Sequence, residues 1–536
     1  MSEQRPNFEP VAIESLETQP LRTPPSQSGF LPRPVLYLLV AGAALRLIAF
    51  AFAKNNGGDA LARAEITAVW LQHPFFRLNF EPWLPFHFWL MAAMSDLVRS
   101  PALGTRLLSL VLGIASLLAF WHAAKEIYGD MAAVLSLAVF TLYSLQIAYS
   151  TTSSSEVPYL FFVLVGIWLF FAARRRRSIL ELCMAGLALG VAAGIRYEAW
   201  VCIFALSLAL FFFPAGLSTR ENPRRLAQIV AFCGTAGLWP VFWMVYQWKV
   251  FSKPLYGVTM NYGWVPQQMA VMNRSLLYRL ALPPGVLLIT LTPLVLAASL
   301  LGLWLGLRHN RGRQFFLLVL VSAAAFVFQI AHGGLLPLAR YTITIGTFAA
   351  IASGYGFEQF ARSASLLRRF HWRLALVAFL ALNLASIAIL AAVPTRFADK
   401  FASISPVLRF PQHIAQLGEY LKPRVNATDR FVIDDYNVES NIVAAAIGLP
   451  LFNRDRAFLA SEMPIAQLSA YMSAQRPDYL IYSDRGVLDR VLPLNGSCQN
   501  TPVELNGMRF SCVFANGIYR IYKIKYRDAA GMLATR

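Results

Sequence analysis

Residues 35–60 read VLYLLVAGAALRLIAFAFAKNNGGDA: a continuous apolar run, then a lysine, two asparagines, two glycines and an aspartate. The hydrocarbon core of a bilayer takes about 20 apolar residues of helix to cross, and the run over 35–53 is of that length. The chain therefore enters a membrane here and leaves it just before Asp59. The run starts too late, and lacks the small-residue cleavage site, for a secretory signal peptide.

The same pattern recurs. Further apolar runs lie near 103–124, 131–150, 159–173, 180–196, 199–213, 226–248, 285–307, 314–331, 342–360 and 374–393, which makes about eleven spans. With 57% hydrophobic and only 14% charged residues, and a mean hydropathy of +0.51, the chain cannot wrap a soluble core in a polar shell. The expected fold is mainly α: a polytopic membrane helix bundle. Between the first two spans lies a long loop, 54–101, in which Pro85 to Val98 is too short to cross and reads as an interfacial or re-entrant helix.

A net charge of +19 would point to nucleic acid in a soluble protein. Here the arginines gather in short segments between apolar runs: Arg174 to Arg177; Arg220, Arg224 and Arg225; Arg308, Arg311 and Arg313; Arg362, Arg368, Arg369 and Arg373. Short loops rich in Lys and Arg stay in the cytoplasm, so these clusters mark one side. Alternate loops are poor in cations: 151–158 has none, 332–341 has only Arg340, and 249–281 spreads Lys249, Lys253, Arg274 and Arg279 thinly. If Pro85–Val98 does not cross, counting back from Arg174 puts the N-terminus in the cytoplasm and Asp59 outside. If it crosses, both invert.

Residues 1–34, with Pro6, Pro10, Pro20, Pro24, Pro25, Pro32 and Pro34 and no apolar period, read as a disordered cytoplasmic tail. The transmembrane domain then occupies 35–393. From 394 to 536 the composition changes: β-rich runs at Arg430–Asp434, Asp478–Ser483 and Ile518–Lys523 alternate with helical stretches near 438–447 and 464–475. That alternation reads as a small α/β domain on the extracytoplasmic face. Cys183, Cys202 and Cys233 sit in apolar segments and read as core residues. Cys498 and Cys512 are alone in the hydrophilic part, and an oxidising compartment would leave a disulfide between them open. The hydrophilic part has no Gly-rich phosphate loop, no Cys/His metal spacing and no Ser/His/Asp motif.

Ionisable residues at membrane depth, or in loops tucked against it, are costly and thus functional suspects. On the proposed outer face they are few. Asp59 and Arg63 are four apart and would share a helix face, with Glu65 close by. Asp59 reads either as an N-cap with a local ion pair or as a catalytic carboxylate at the membrane surface. Glu156 follows a run of hydroxyls, Ser150 to Ser155, and precedes Pro158; it reads as a helix cap or as a second working carboxylate. Arg196, beside Tyr197 and Glu198, and Arg340, beside Tyr341, stand at outer ends of spans. A guanidinium there grips a lipid phosphate in two-pronged fashion or merely snorkels. The aromatic stretch from Trp70 to Trp89, which contains His87, is first an interfacial belt and second a stacking surface for sugar or lipid.

The order of these segments resembles that of the GT-C superfamily of polytopic membrane glycosyltransferases, in particular the branch of protein mannosyltransferases and lipid A aminoarabinose transferases. The resemblance covers about 35–365. It is carried by Gly58-Asp59-Ala60, Trp83-Leu-Pro85-Phe-His87, Thr105-Arg106-Leu-Leu-Ser109, Ser154-Ser-Glu156-Val-Pro158, Arg196-Tyr197-Glu198-Ala-Trp200, Lys253-Pro254-Leu-Tyr256 and Arg340-Tyr341. It implies that a polyprenyl-phosphate sugar enters laterally from the membrane and that Asp59 takes the proton of an acceptor hydroxyl, on lipid, glycan or protein, with inversion. It also implies that Glu156 is the second acidic motif and that Arg340, with Arg196 as a further candidate, meets the lipid phosphate. Arg63, Glu65, His87, Tyr197, Glu198 and Tyr341 would line the substrate site. The same resemblance implies the inner (plasma) membrane of a bacterium. Glu156 lacks the neighbouring carboxylate that would hold a metal tightly, which leaves a divalent cation open and no cofactor assigned. A transporter or flippase of lipid-linked precursors is the alternative; it would show inverted repeats and matching broken helices, whereas the long carboxylate-bearing first loop suits a transferase.

The charge pattern makes a topological prediction. In intact cells an impermeant thiol reagent should label single cysteines introduced near residue 434 or beside Asp59, and should reach one near Arg177 only after permeabilisation. The reverse pattern would invert the chain and remove the carboxylates from the outer face.

Overall fold

A computed structural model describes residues 31–213, 222–260, 275–363, 404–434, 440–449, 457–459, 468–527 and 533–534, with gaps of one to three residues inside these ranges and isolated positions between 381 and 389. Helix α1 is Arg33–Phe52, α2 Ala60–Gln72, α3 Pro85–Leu97, α4 Pro101–Tyr128, α5 Asp130–Thr141, α6 Ser144–Tyr149, α7 Glu156–Arg176, α8 Ile179–Ile195 and α9 Glu198–Phe212. Then follow α10 Asn222–Phe251, α11 Leu276–Gly306, α12 Asn310–Ala331 and, after a 3-10 turn at Ala339–Thr342, α13 Ile343–Ser363. Local chemistry sets their ends. Ser100, Ser178 and Ser275 cap α4, α8 and α11 by accepting the backbone N–H three residues on, and Gly129, at φ 97°, ends α4 in a conformation that glycine adopts freely.

Among the described residues, α1, α4, α7, α10, α11 and α12 are long and apolar enough to cross a membrane, and α5, α8 and α9 are shorter apolar helices. The apolar core runs through α4, α5, α7, α8 and α9 and on into α13. Where α11 crosses α13 the backbones nearly touch: a methyl group added at Gly302 would overlap the carbonyl of Ala352, and one at Gly356 the carbonyl of Ala298. Such close approach is how helices pack in lipid, where apolar burial gives no drive to associate. Helix α3 is 13 residues long, as the short run from Pro85 led us to expect.

Two local features differ from the sequence reading. The run 131–150 is not one helix: the chain breaks at Leu142–Tyr143 between α5 and α6. The break brings Gln146 to Arg46, a guanidinium in the middle of α1 that is fully buried and also donates to the Gly42 carbonyl at 2.8 Å. A buried cation needs such partners. Helix α11 is likewise interrupted at Thr292, φ 69°, ahead of Pro293, because proline cannot donate to the preceding turn. The expected span at 374–393 lies almost wholly outside the described residues, as does the tail up to residue 30.

After residue 404 the chain forms α14 Gln412–Leu421, β1 Phe431–Ile433, α15 Ser440–Ala446, β2 Ala457–Leu459, α16 Leu468–Gln475, β3 Tyr479–Ser483, β4 Val503–Leu505, β5 Met508–Ala515, β6 Tyr519–Arg527 and β7 Leu533–Ala534. The sheet order is β2-β1-β3-β6-β5-β4, with β7 on β6; β2, β1 and β3 are parallel and the remaining pairs antiparallel. Alternation divides each strand between two cores. Phe431, Ile433 and Ile481 face α14, whose Ile414, Leu417 and Leu421 recur at helical spacing, while Val432, Leu480 and Tyr522 face α16. Cys498 and Cys512 are joined in a disulfide. Helix α14 and strands β2, β4, β5 and β7 go beyond the elements expected from the sequence.

The α11–α13 crossing yields a stability prediction. Gly356→Val should lower the stability of the purified protein by about 1–3 kcal/mol, the usual cost of overpacking, read as earlier unfolding on heating in detergent. Gly234→Ala, at a glycine with open space around it, should leave the midpoint where it is.

Candidate active site

The break between helices places each functional side chain. Asp59 precedes α2, and its carbonyl accepts from Arg63 N at 2.9 Å. Glu156 is the first residue of α7, where a carboxylate meets the positive end of the helix dipole. Arg196 stands extended (φ −146°) in the two-residue gap between α8 and α9. Arg340 lies in the 3-10 turn that leads into α13. These four positions are far apart in sequence, and the bundle gathers them at one end.

Arg340 joins the two carboxylates. Its Nη2 donates to Asp59 Oδ1 at 3.0 Å, and its Nε stands 3.6 Å from Glu156 Oε1. Arg196 Nη1 donates to the same Glu156 oxygen at 2.8 Å and to Ser155 Oγ at 3.0 Å, while its Nε donates to Glu198 Oε1 at 3.0 Å. Arg63 Nη2 lies 3.7 Å from Asp59 Oδ2, which also accepts from Trp83 Nε1 at 3.2 Å. Three guanidinium groups thus face three carboxylates in one continuous chain of contacts. The snorkelling reading of Arg196 and Arg340 is overturned: their side chains are 11% and 8% exposed and turn inward to carboxylates.

Aromatic rings wall the chain. Arg196 and Arg340 lie 5.5 and 5.0 Å from the Tyr341 ring centroid, and Arg63 lies 4.8 Å from that of Trp83 and 5.8 Å from that of Phe88, distances at which a cation is attracted to a ring face. Tyr341 OH accepts from Arg340 at 3.2 Å. His87, on α3, is buried with Nδ1 3.4 Å from Arg63 Nη1; burial, then the charges of Arg63 and Arg196, push its imidazole well below the usual range, so it stays neutral. Tyr197 stands apart, its hydroxyl accepting from Trp243 Nε1 at 3.0 Å. Glu65 is buried on α2, and the chain of contacts above runs without it.

The two carboxylates differ in access. Asp59 keeps 31% of its side chain exposed and Glu156 keeps 1%, so of these two Asp59 is the one that can meet a hydroxyl arriving from outside. Partial burial pushes the Asp59 carboxyl up. Arg340 and Arg63, with the hydrogen bonds from Arg340 and Trp83, more than offset this and hold it at about 2. Among the described residues no group of three or more His, Cys, Asp or Glu side chains could hold a metal ion, and a divalent cation bound between Asp59 and Glu156 would have to displace Arg340.

Sequence reading missed the supports. Trp83, by sequence context one ring of an interfacial belt, is a hydrogen-bond donor to Asp59. Arg106 donates to the carbonyls of Thr151, Phe50 and Ala53 at 2.8, 3.1 and 3.0 Å, tying the end of α1 to the loop before Glu156. A lone cation at the opening of a span, in the Thr105-Arg106 motif, was the available signal.

The ion pairing makes a pH prediction. Because its folded pKa lies below the ordinary 3.8, Asp59 contributes stability that is present above that value and lost as pH falls through about 2. Arg340→Gln removes the strongest lowering charge, so Asp59 should take its proton at least about one pH unit higher. An infrared carboxyl band that vanishes in Asp59→Asn reports this; an unmoved band would show that Arg340 does not hold the carboxylate.

Residues 73–243 match the family model for dolichyl-phosphate-mannose-protein mannosyltransferase. No curated protein matches the chain in sequence. Among solved structures, the chain is similar to ArnT from Cupriavidus metallidurans bound to undecaprenyl phosphate, with a TM-score of 0.59 and 13% identity, covering 91% of this chain and 97% of that one. It is also similar to the Archaeoglobus fulgidus oligosaccharyltransferase tethered with an acceptor peptide, with a TM-score of 0.52 and 12% identity, covering 84% of this chain and 69% of that one. At these identities the likeness is one of fold, and it spans the bundle and the domain that follows. Residues 73–243 thus match the mannosyltransferase model, and the fold of the chain is similar to those of ArnT and the oligosaccharyltransferase.

Proposed function

We propose that this protein transfers a sugar from a polyprenyl-phosphate donor to an acceptor hydroxyl, with inversion, on the extracytoplasmic face of a membrane, the inner membrane in a bacterium. The observation that carries the proposal is the bridge from Asp59 through Arg340 to Glu156, with one carboxylate accessible and the other buried. One similar structure holds undecaprenyl phosphate, which supports a lipid phosphate as donor here. The disulfide between Cys498 and Cys512 supports an oxidising compartment for the α/β domain.

In this reading the acceptor hydroxyl gives its proton to Asp59 while its oxygen bonds to the anomeric carbon from the face opposite the phosphate. The bond from that carbon to the phosphate oxygen breaks, and the electron pair leaves with the polyprenyl phosphate. An alcohol is a weak nucleophile at neutral pH, so a base in hydrogen-bond reach matters. Charge grows on the departing phosphate, and Arg340 and Arg196, already ordered and desolvated, are placed to stabilise it. Glu156 touches no substrate in this scheme; it aligns both guanidinium groups. Binding the phosphate draws Arg340 from Asp59, which raises the basicity of the carboxylate when a base is needed.

The test uses purified protein in lipid with radiolabelled polyprenyl-phosphate mannose, and then aminoarabinose, and membrane extracts as acceptor. Asp59→Asn should lose about 10²–10⁴-fold in turnover while still binding undecaprenyl phosphate, no more weakly than wild type does. Asp96→Asn, which removes only an exposed pair with Arg99, should be unaffected. If Asp59→Asn keeps more than about a tenth of wild-type turnover, Asp59 is not the base.

A further inference from the structure

The loop that carries Asp59 is gripped from two sides. On one side Asn55 is bonded to the loop before Glu156: its Oδ1 accepts from Ser153 N at 2.9 Å and its Nδ2 donates to Ser153 Oγ at 3.0 Å, and that hydroxyl in turn reaches Thr105 Oγ1 at 2.8 Å. On the other side the grip comes from the C-terminal part of the chain. Lys54 N donates to the Leu408 carbonyl at 2.8 Å, and Asn56 Nδ2 donates to the Arg409 carbonyl at 2.7 Å. Two residues past Asp59, Leu61 leaves the transmembrane bundle altogether: 3% exposed, it belongs to the apolar core of the α/β domain, with Ile414, Leu417, Ile442 and Val443.

We infer that the C-terminal α/β domain is a positioning element for the reaction, holding the Asp59 carboxylate in place through Lys54, Asn56 and above all Leu61. The inference rests on the reading of Asp59 as the base. Asp59 sits between two anchor points, Asn56 before it on the Arg409 carbonyl, where Leu408 packs in the bundle core just ahead of the domain, and Leu61 after it in the domain core. A carboxylate at the end of an unanchored loop would sample many places, and a misplacement of about 1 Å costs on the order of 10²-fold in rate. The phosphate-facing groups are anchored elsewhere: Arg196 between α8 and α9, Arg340 ahead of α13. Loosening the grip should therefore impair turnover and spare donor binding.

The full-length protein in lipid tests this with Leu61→Ala, Leu61→Met and Asn56→Ala. Leu61→Ala should lower turnover of polyprenyl-phosphate mannose by about 10- to 100-fold and leave undecaprenyl phosphate affinity unchanged, with Leu61→Met restoring most of the loss. In an Asp59→Asn background Leu61→Ala should cost nothing more, because a residue acting through another is not additive with it. Amide exchange supplies a readout free of turnover: Leu61→Ala and Asn56→Ala should speed exchange at residues 60–63 and leave the strand 479–483 protected. Wild-type turnover in Leu61→Ala, losses that multiply with Asp59→Asn, or unchanged exchange at residues 60–63 would each overturn the positioning role. Wild-type turnover in Asp59→Asn alone would instead remove the base and leave the mechanical grip to be read by exchange.

Discussion

Charge neutrality at low dielectric governs this end of the molecule. Arg63, Arg196 and Arg340 face Asp59, Glu156 and Glu198, and of the six only Asp59 and Glu198 keep substantial exposure, 31% and 41%. Removing one member of a buried set leaves an opposite charge uncompensated, at a cost of about 3–5 kcal/mol. The set therefore constrains every element that contributes to it: the loop before α2, the start of α7, the gap between α8 and α9, and the turn before α13. In the proposed reaction a phosphate entering the site would bring negative charge to a balanced cluster and compete with carboxylates for guanidinium groups that are already desolvated.

The same constraint shapes the bundle away from the site. Arg46 is fully buried within a membrane span and finds the Gly42 carbonyl and Gln146. Gln146 stands in the short helix after the break at Leu142–Tyr143, and its side-chain amide nitrogen, Nε2, also donates to Gly113 O at 3.2 Å. Arg106 satisfies three loop carbonyls at once. In each case a cation in a region where an unpaired charge is prohibitive decides where a helix ends or bends, and those ends are where the site residues stand.

The α/β domain completes the arrangement from the other side. Its sheet has its own two cores, yet one of them takes Leu61 from the transmembrane part. That shared side chain, with the hydrogen bonds at Lys54 and Asn56, couples the packing of the domain to the place of the accessible carboxylate.

The sequence by itself determined the class of molecule, because the apolar period and length of a span are local properties read residue by residue. The presence of most of the spans, the short α3 and the three strands Phe431–Ile433, Tyr479–Ser483 and Tyr519–Arg527 follow from the same kind of local signal. It also named Asp59, Arg63, Glu156, Arg196, Glu198 and Arg340, since a charge beside an apolar run is conspicuous. Tertiary structure decided what these charges do. That Arg340 bridges Asp59 and Glu156 across 281 residues, that Tyr197 bonds to Trp243 outside the charge chain, and that Trp83 is a donor depend on which helix ends meet. It also decided the break at Leu142–Tyr143 and the docking of Leu61, for packing in lipid is set by close backbone contacts and by the pairing of buried polar groups, neither of which leaves a period in the sequence.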